Sequence, residues 1–350
     1  MERQYRLLFR LVGCKIMKSK KIATLAFICG LLLTSCNGSV NDFSIYIYDE
    51  DDTFINKLRA DIVSEAKNEY DLKVSYASRN QHKQNQQINS ALEEGQKLLA
   101  INMVDRLAAS ALIEKCSVND ASVVFFNREP LEEDMAGETN AFYVGSDPSY
   151  EGKLQAQLAI DLFGNNPASL NSKFDKNGDR KIQALVLKGE IGHQDAEQRS
   201  KYCISTLTDE GYDVDLLGTY YCNWNRTTAY NTIKEKFDDL KDDVEVIFSN
   251  NDDMAYGAID YFLEKDMFLR NIDVTDQPFQ VIGVDGTDVG IKAIQNNFMY
   301  GTVFNNSEKQ ASAIIDALHY LQGDITKEEI KYDVVRDNYI YIKGSSITKK

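Results

Sequence analysis

The sequence lacks several features that would indicate common functional classes. It has no CxxC pair and no Cys/His spacing typical of zinc or redox sites. It also lacks a P-loop, a nucleophile elbow and the glycine fingerprint of dinucleotide-binding domains. Acidic residues outnumber basic ones, and the formal net charge of −15 argues against a nucleic-acid partner, because phosphate binding needs a basic face. We therefore expect neither an enzyme of these classes nor a nucleic-acid-binding protein.

Proline is also scarce, with four residues in the chain, and no proline-rich linker or low-complexity tract separates one part from another. At 350 residues the chain is long enough to bury the cores of two domains. Apolar segments of strand length alternate with amphipathic segments of helix length, from a strand at residues 43–48 to a β-rich piece at residues 338–342. This alternation predicts an α/β protein with two doubly wound parallel-sheet lobes and helices on both faces of each sheet.

The N-terminal region has the pattern of an export signal. Three lysines precede an apolar run at residues 22–33, which is too short to span a membrane but typical of a signal-peptide core. The run ends at Leu-Thr-Ser-Cys, which resembles a bacterial lipobox with Cys36 as the lipidated residue. We predict a signal peptide at residues 1–35, with Met17 as an alternative start, and a tether at 36–42. The alternative is a free secreted protein in which Cys36 has no role.

Three further cysteines follow the predicted cleavage point. They are Cys116, Cys203 and Cys222. A disulfide between Cys203 and Cys222 would suit an oxidising compartment, but buried free thiols agree equally well with the sequence. The sequence leaves both alternatives open.

A calcium loop is suggested by the segment DKNGDRKIQ at residues 175–183. Asp175, Asn177 and Asp179 alternate, so that a tight loop could turn all three side-chain oxygens onto one cation. Lys181 could add its backbone carbonyl and Gln183 its amide oxygen. The helical calcium loop would place a Glu at position 186, but Val186 lies in an apolar run typical of a strand, so the last carboxylate has to come from elsewhere.

Polar and aromatic residues follow the predicted strands. Ligands of open α/β sheets bind beyond the carboxyl ends of the strands, where these residues would gather. Asp, Asn, Arg and His offer donors and acceptors for a ring of hydroxyls, and aromatic rings pack against the C–H faces of a pyranose. The residues so placed are Tyr48, Asp52, Phe54, Asn102, Asp105, His193, Asp195, Arg199, Trp224, Asn250, Asn251, Asp252, Asp285, Asn305 and Asn306. Their chemistry predicts a site for a small sugar.

The chain resembles the periplasmic galactose/glucose-binding proteins of bacterial sugar ABC transporters, which are type I substrate-binding proteins, over residues 43–343. The similarity is carried by short motifs in a fixed order. These are AINMVD at 100–105, VVFFNREP at 123–130, YVGSD at 143–147, LKGEIGHQDAEQR at 187–199, SNND at 249–252, GVD at 283–285 and GTVFN at 301–305.

The resemblance implies a role for each residue of the sugar site. Phe54 and Trp224 would stack on the two faces of the pyranose, and Asp52 would accept from the hydroxyl at carbon 4, which suits both galactose and glucose. Tyr48 would lie at the edge of the site. The remaining hydrogen bonds would come from Asn102, His193, Asp195, Arg199, Asn251, Asp285 and Asn305.

The resemblance also supplies Glu245 as the missing calcium ligand. One residue departs from the family's loop, which has Gly after the third acidic position, where a sharp turn favours positive φ. Arg180 occupies that position here, and Gly178 lies two residues earlier. The expected cofactor is a structural Ca²⁺ ion, with Arg180 as the feature that would weaken its binding.

The family architecture implies two lobes joined by three hinge crossings, near residues 120–122, 305–307 and 335–341. The N-terminal lobe would hold residues 43–120 and 308–334, and the C-terminal lobe residues 121–307 and 335–350. We expect a monomer that binds one hexose and delivers it to an ABC permease, with a chemoreceptor as a further partner and membrane contact only through the lipid anchor. The alternatives are a sugar-sensing lipoprotein that serves a receptor without transport, and a glycoside hydrolase whose pair of carboxylates comes from among Asp52, Asp195 and Asp285.

Overall fold

The computed structural model describes residues 41–349, within a compact unit that extends from residue 41 to the C-terminus. The predicted signal peptide, the alternative start at Met17, Cys36 and most of the tether lie outside the described residues. In the described part of the chain, no helix is long and apolar enough to cross a membrane.

Thirteen strands occur in the described residues. They are β1 (Asn41–Ile47), β2 (Tyr70–Tyr76), β3 (Leu98–Ile101), β4 (Ser122–Phe126), β5 (Ala141–Ser146), β6 (Lys181–Lys188), β7 (Asp213–Tyr221), β8 (Val246–Ser249), β9 (Gln280–Asp285), β10 (Gly301–Phe304), β11 (Val334–Val335), β12 (Tyr339–Ile342) and β13 (Ser345–Thr348).

Ten α-helices alternate with these strands over residues 41–349. They are α1 (Thr53–Ala66), α2 (Gln81–Glu93), α3 (Ala109–Val118), α4 (Glu132–Met135), α5 (Pro148–Phe163), α6 (Gln194–Asp209), α7 (Arg226–Lys236), α8 (Asp252–Glu264), α9 (Asp288–Gln295) and α10 (Ser307–Gln322). Short 3₁₀ turns occupy Arg106–Ala108, Phe237–Asp239, Val274–Asp276 and Lys327–Glu329.

The strands form two separate sheets. Sheet I has seven strands in the order β11-β12-β5-β4-β3-β1-β2, and sheet II has six in the order β13-β10-β9-β8-β6-β7. All strand pairs are parallel except β11 with β12 and β10 with β13, which are antiparallel. The predicted α/β class with two doubly wound, mainly parallel sheets is confirmed.

Alternating side chains of the strands build a core on each face of each sheet. In β1, Phe43, Ile45 and Ile47 pack with helices α1 and α10, while Tyr46 packs on the other face with α2 and α3. In β6, Leu185 and Leu187 pack with α7 and α8, and Ile182, Ala184 and Val186 pack with α5 and α6 on the other face. Burial on both faces explains why these strands read as nearly continuous apolar runs.

Sheet membership defines the two lobes. Lobe I contains residues 41–146 and 307–342, and lobe II contains residues 148–304 and 345–348. The predicted division at residues 120–122 and 335–341 was wrong, because β4 pairs with β3 and β5, and β12 pairs with β5, all in sheet I. The sequence of an apolar strand such as β4 suits the middle of either sheet. Which sheet the strand joins depends on its pairing with β3 and β5, which is a long-range property of the fold.

The chain passes between the lobes at three places. The connections are Asp147, the pair Asn305–Asn306 and the pair Lys343–Gly344. Asp147 and Asn306 cap the helices that follow them, each accepting a hydrogen bond from a backbone N–H of the first turn. The caps fix where two of the three connections enter their helices.

The cysteines of the described residues are free. Cys116, Cys203 and Cys222 are all buried and unpaired in this part of the chain. Burial raises the pKa of the Cys116 thiol to about 12. Of the two alternatives for Cys203 and Cys222, the structure has the buried free thiols.

Candidate functional site

A narrow cavity lies between the carboxyl ends of the strands of the two sheets. Both lobes contribute side chains to its wall, so that a molecule in it would touch both. Lobe I contributes Tyr48, Asp52, Phe54, Ile55, Asn127 and Arg128, and lobe II contributes His193, Asp195, Arg199, Trp224, Asn251 and Asp285. The position is the ligand-binding edge expected for parallel sheets.

The structure gathers most of the residues predicted for this site. Of the eleven residues to which the family resemblance gives a role, nine line the cavity, namely Tyr48, Asp52, Phe54, His193, Asp195, Arg199, Trp224, Asn251 and Asp285. Asn102 and Asn305 are buried but do not line it. Asn102 donates to the side-chain oxygen of Asn127 at 3.1 Å, and Asn305 accepts from Gln310 at 2.5 Å. These two residues therefore support the cavity wall from behind.

The lobe I wall is set by the turn between β1 and α1. Asp52 caps α1 by accepting from the backbone N–H of Ile55 at 2.9 Å, and its second oxygen accepts from the Tyr48 hydroxyl at 2.6 Å. Phe54 lies in the first turn of the same helix and is 7% exposed. The cap fixes the carboxylate, so that a flat ring and an acceptor face the cavity from one helix turn.

A buried charge cluster forms the lobe II wall. Arg199 donates to Glu151 at 2.7 Å and to Asp195 at 3.3 Å, and its guanidinium lies 3.9 Å from Asp285. Burial raises the pKa of Asp195 to about 7, with Arg199 acting in the opposite direction. Burial also raises the pKa of Asp285 well above its usual range. Three carboxyl groups thus share one guanidinium and leave acceptor capacity for hydroxyl groups in the cavity.

His193 and Trp224 form the aromatic part of the lobe II wall. The Nδ1 atom of His193 accepts from the backbone N–H of Asp195 at 3.2 Å, and the ring lies edge-on to Trp224 with centroids 5.0 Å apart. Burial lowers the pKa of His193 well below its ordinary value, and Arg128 and Arg199 lower it further. His193 is therefore a neutral ring at neutral pH and adds no charge to the cavity.

Two backbone features position the remaining lobe II residues. Trp224 has φ of +62°, and its indole packs so closely on Gly189 that a Cβ atom there would lie 2.1 Å from the ring. Asp285 has φ of +110°, a strained value for a residue with a side chain. Asn251 caps α8 and donates to the carbonyl of Trp224 at 3.2 Å. Strained backbone of this kind concentrates at ligand sites.

Three cavity residues were missed by the sequence prediction, namely Ile55, Asn127 and Arg128. Asn127 and Arg128 directly follow the buried strand β4, so the same strand-end reasoning that placed the other residues would have found both. The Arg128 guanidinium lies 4.1 Å from the centroid of the Tyr48 ring and donates to the carbonyl of Val104 at 2.8 Å. Ile55, an apolar helix residue, gives no such signal.

Direct contacts join the two lobes beside the cavity. Arg128 of lobe I pairs with Glu190 of lobe II at 2.7 Å, and Gln194 of lobe II donates to the carbonyl of Asn127 at 2.7 Å. The lobes are therefore closed against each other in this structure, with Arg128 and Asn127 serving both the cavity wall and the contact.

The predicted calcium loop lies in lobe II at the start of β6, where Glu245 approaches it. Glu245 accepts from the backbone N–H groups of Lys176 at 2.7 Å and Gln183 at 3.2 Å. Burial raises the pKa of Glu245 to about 7, and nearby Asp175 contributes to the same shift. Asp179 is exposed and accepts from the side chains of Asn177 and Gln183.

The loop's oxygen atoms fit a hard cation. Within residues 41–349, Oδ1 of Asp175 and Oε1 of Gln183 are buried without a hydrogen-bond partner, and buried oxygens in folded proteins are almost always paired. Arg180 adopts φ of +66°, the left-handed turn that Gly takes in calcium loops, so the backbone shape is retained. Within residues 41–349, however, no three acidic, His or Cys side chains are gathered closely enough to hold a metal by themselves. A cation here would depend on amide and carbonyl oxygens as well.

The fold and the cavity between its lobes define a binding protein with two α/β lobes. A family model described as a periplasmic binding protein domain matches residues 43–325. The chain is 34% identical, over 94% of its length and 98% of the relative's, to the D-galactose/methyl-galactoside binding periplasmic protein of Haemophilus influenzae. This chain belongs to the periplasmic binding protein family.

More distant relatives share the fold. The chain is 25% identical, over 86% of its length and 90% of the relative's, to a putative rhizopine-binding protein of Rhizobium meliloti. A solute-binding protein of Actinobacillus succinogenes with bound D-allose superimposes with a TM-score of 0.70 at 18% identity, covering 88% of this chain and 97% of that one. The myo-inositol binding protein of Caulobacter gives a TM-score of 0.69 at 19% identity, covering 89% and 93%.

Family membership confirms two expectations from the sequence. The chain is a substrate-binding protein and not an enzyme, which removes the glycoside hydrolase alternative. It also confirms the resemblance to binding proteins of sugar transporters and agrees with the predicted export of the chain.

Proposed function

We propose that this protein binds one hexose, D-glucose or D-galactose, between its two lobes and delivers it to an ABC permease. The observation that carries the proposal is the cavity lined by both lobes, with Phe54 and Trp224 as flat rings and Asp52, Asp195 and Asp285 as acceptors. Flat rings suit the C–H faces of a pyranose, and carboxyl groups, which accept hydrogen bonds and also donate one when protonated, suit its hydroxyl groups. The name of the Haemophilus relative supports the choice of a galactose-type ligand.

Ligand binding would act by stabilising the closed arrangement. A sugar that touches both lobes binds the closed form better than the open one, and it shifts the population by that difference in affinity. The Arg128–Glu190 and Asn127–Gln194 contacts form only when the lobes meet, so they would form together with sugar binding. A permease, or alternatively a chemoreceptor, would recognise the closed form. The protein would act as a monomer, with lipid at Cys36 holding it at the membrane surface.

Calorimetric titration with glucose, galactose, ribose and myo-inositol tests this function. We expect a hexose to bind with a 1:1 ratio and to compete with the other hexose for one site. Preference for ribose or myo-inositol over both hexoses would contradict the proposed ligand. Mass spectrometry of the membrane-associated protein, with a Cys36→Ser variant as control, tests the anchor.

We also propose that the loop of Asp175, Asn177, Asp179, Lys181 and Gln183, together with Glu245, binds a structural Ca²⁺ ion. The support is the pair of buried oxygens, Asp175 Oδ1 and Gln183 Oε1, that lack a partner in the described part of the chain, together with the left-handed turn at Arg180. Ca²⁺ bound to the folded state alone would raise its stability in proportion to ligand concentration. Melting of wild type should rise with CaCl₂ relative to EDTA, whereas Glu245→Gln should be insensitive to both. A wild-type melting temperature that does not change between EDTA and CaCl₂ would contradict this site.

A further inference from the structure

Glu151 lies where the connections between the lobes converge. It is in the first turn of α5, just after the connection at Asp147, and is 0% exposed. The backbone N–H of Asp147 donates to the carbonyl of Ile342 at 3.2 Å, so the first connection runs beside the third. A Cβ atom on Gly344 of the third connection would lie 3.5 Å from Cγ of Glu151 and 2.9 Å from the carbonyl oxygen of Phe304, which precedes the second connection. Glu151 is therefore packed against the hinge of the molecule.

One oxygen atom of Glu151 joins the two lobes. Its Oε2 accepts a hydrogen bond from the Ser146 hydroxyl at 3.2 Å. Ser146 is the last residue of β5 in sheet I, whereas Glu151 belongs to lobe II, and Asp147 connects the two elements. Closure of two lobes changes the backbone angles of the residues that connect them, so the distance between Ser146 and Glu151 depends on how far the lobes are closed. This hydrogen bond belongs to the closed arrangement.

The same oxygen atom holds Arg199, which lines the cavity. Oε2 of Glu151 accepts from Nε of Arg199 at 2.7 Å, and the two side chains are 0% and 3% exposed. The other nitrogens of the guanidinium donate to the carbonyl of Asn250 at 2.8 Å and to Asp195 at 3.3 Å. These bonds fix the plane of the guanidinium and leave further N–H donors free for a ligand in the cavity. Glu151 is not among the described residues that line the cavity, so it acts on the wall from behind.

Close backbone contact fixes the helices that carry Glu151 and Arg199. Gly152 of α5 lies so near α6 that a Cβ atom there would be 2.5 Å from the carbonyl oxygen of Arg199 and 3.0 Å from the backbone nitrogen of Cys203. Packed interiors of this kind transmit displacements because they hold little free space. A movement of the Glu151 carboxyl group is therefore passed to the Arg199 side chain and is not absorbed between the helices.

We propose that Glu151 is a positioning residue, which holds the Arg199 guanidinium toward the sugar and links its position to the closed state of the lobes through Ser146. Glu151 itself does not touch the sugar. When the lobes close, the Ser146 contact forms and fixes the carboxyl group that orients Arg199. Sugar binding at Arg199 and closure at the hinge thereby stabilise each other. The inference rests on the proposed function, because it requires a sugar in the cavity.

Calorimetric titration of variants with galactose and glucose tests the positioning role. Glu151→Met removes both contacts of Oε2 and keeps roughly the length of the side chain, so hexose affinity should fall at least about tenfold. Glu151→Gln retains an acceptor oxygen and should recover part of that loss. Asp161→Asn, which changes an exposed acid of the same helix, is the matched control and should leave hexose affinity unchanged.

Ser146→Ala tests the link to the hinge. It removes a contact of the closed form, so hexose should dissociate about threefold faster, as measured by stopped-flow fluorescence of Trp224. In the Glu151→Met background the same change should have no further effect, because residues that act through one another are not additive. If Glu151→Met does not fold, the same pair of measurements is made with Glu151→Gln.

The outcomes separate this inference from the proposed function. If the Glu151 variants melt at a lower temperature but bind hexose with wild-type affinity, Glu151 is merely structural and the positioning role is wrong, while the proposed function stands. If Ser146→Ala leaves the dissociation rate unchanged, or accelerates it equally with and without the Glu151 substitution, the link to the hinge is wrong. Absence of binding by wild type to both hexoses would overturn the proposed function and the inference together.

Discussion

Arg128 of lobe I, which lines the cavity, and Glu190 of lobe II form an ion pair of 2.7 Å between the lobes. The Arg128 side chain is 6% exposed and the Glu190 side chain 39% exposed, so the pair is buried on one side only. The Arg128 guanidinium also lies over the ring of Tyr48, which lines the cavity. The pair therefore couples the closure of the lobes to the wall of the sugar site.

Replacing Glu190 with Gln should speed the release of sugar more than it slows binding. The variant loses an ionic contact made only when the lobes meet, and loss of such a contact acts mainly on the dissociation rate. We expect a roughly threefold to tenfold faster dissociation. Stopped-flow fluorescence of Trp224, which lines the cavity, measures it. Glu235→Gln, which removes an exposed acid paired with its neighbour Lys236, is the control. Equal dissociation rates for both variants would contradict a role of the Arg128–Glu190 pair in holding the closed form.

Replacing Asp285 with Asn should weaken hexose binding without unfolding the protein. The change keeps the side-chain shape but replaces one oxygen of a carboxyl group in the cavity by an amide nitrogen, so a buried sugar hydroxyl loses its acceptor, and a buried group left without a partner costs about 1–3 kcal/mol. The dissociation constant should rise roughly 10–100-fold. Calorimetry measures it, with the exposed Asp288→Asn as control. Unchanged affinity in Asp285→Asn would remove Asp285 from the sugar site.

Replacing Gly189 with Ala should disturb the site through Trp224. The new Cβ atom would lie 2.1 Å from the indole, so the ring must move away from its place in the cavity wall. We expect hexose affinity to fall at least about tenfold, as for Trp224→Leu, because the aromatic contact with the sugar is lost. Calorimetry gives the affinity, and near-ultraviolet circular dichroism follows the single Trp. A displaced Trp224 signal with full hexose affinity would argue against stacking.

The buried Asp252 should make the sugar-free protein less stable as the pH rises. Burial raises its pKa from 3.8 to about 7, while its oxygens accept from Thr287 and Thr302. Between these values the folded state holds a proton that the unfolded state has released, so the free energy of unfolding falls as pH rises from about 4 to about 7.

The test of this pH dependence compares Asp252→Asn with wild type. The amide cannot ionise, so the variant should lose this part of the pH dependence and gain relative stability toward pH 8. Melting temperatures measured without sugar from pH 5 to pH 8 give the difference between the two proteins. If that difference is constant across the range, Asp252 does not titrate as inferred.

The sequence predicted the fold better than the division into lobes. The period of the hydrophobic pattern and the apolar content of the segment identify a buried strand such as β4, because both depend on the local sequence. Which sheet receives β4 depends on its pairing with β3 and β5, and nothing in residues 122–126 distinguishes the two sheets. The same limit explains β12, which closes sheet I beside β5 and was predicted to belong to the other lobe.

The sequence predicted which strand ends carry residues of the site. It did not predict in which direction each of these side chains points. Asp52, His193 and Asn251 each follow a strand and cap a helix, and this dual position brings them to the cavity. Asn102 also follows a strand, but its side chain turns to Asn127 and to the backbone N–H of Tyr48. The choice between a cavity and a neighbouring side chain is made by packing, which a strand-end pattern does not encode.

The excess of carboxyl groups over guanidinium groups around Arg199 affects which sugars the protein can bind. The carboxyl groups of Asp195, Asp285 and Glu151 outnumber the one guanidinium they share, and burial raises the pKa of all three, so the site already resists additional negative charge. A hexuronic acid or a phosphorylated hexose would bring another negative charge into a space with little water to screen it. We expect the protein to exclude such acids because burying a further negative charge in this site is costly, whereas selection among neutral sugars depends on shape.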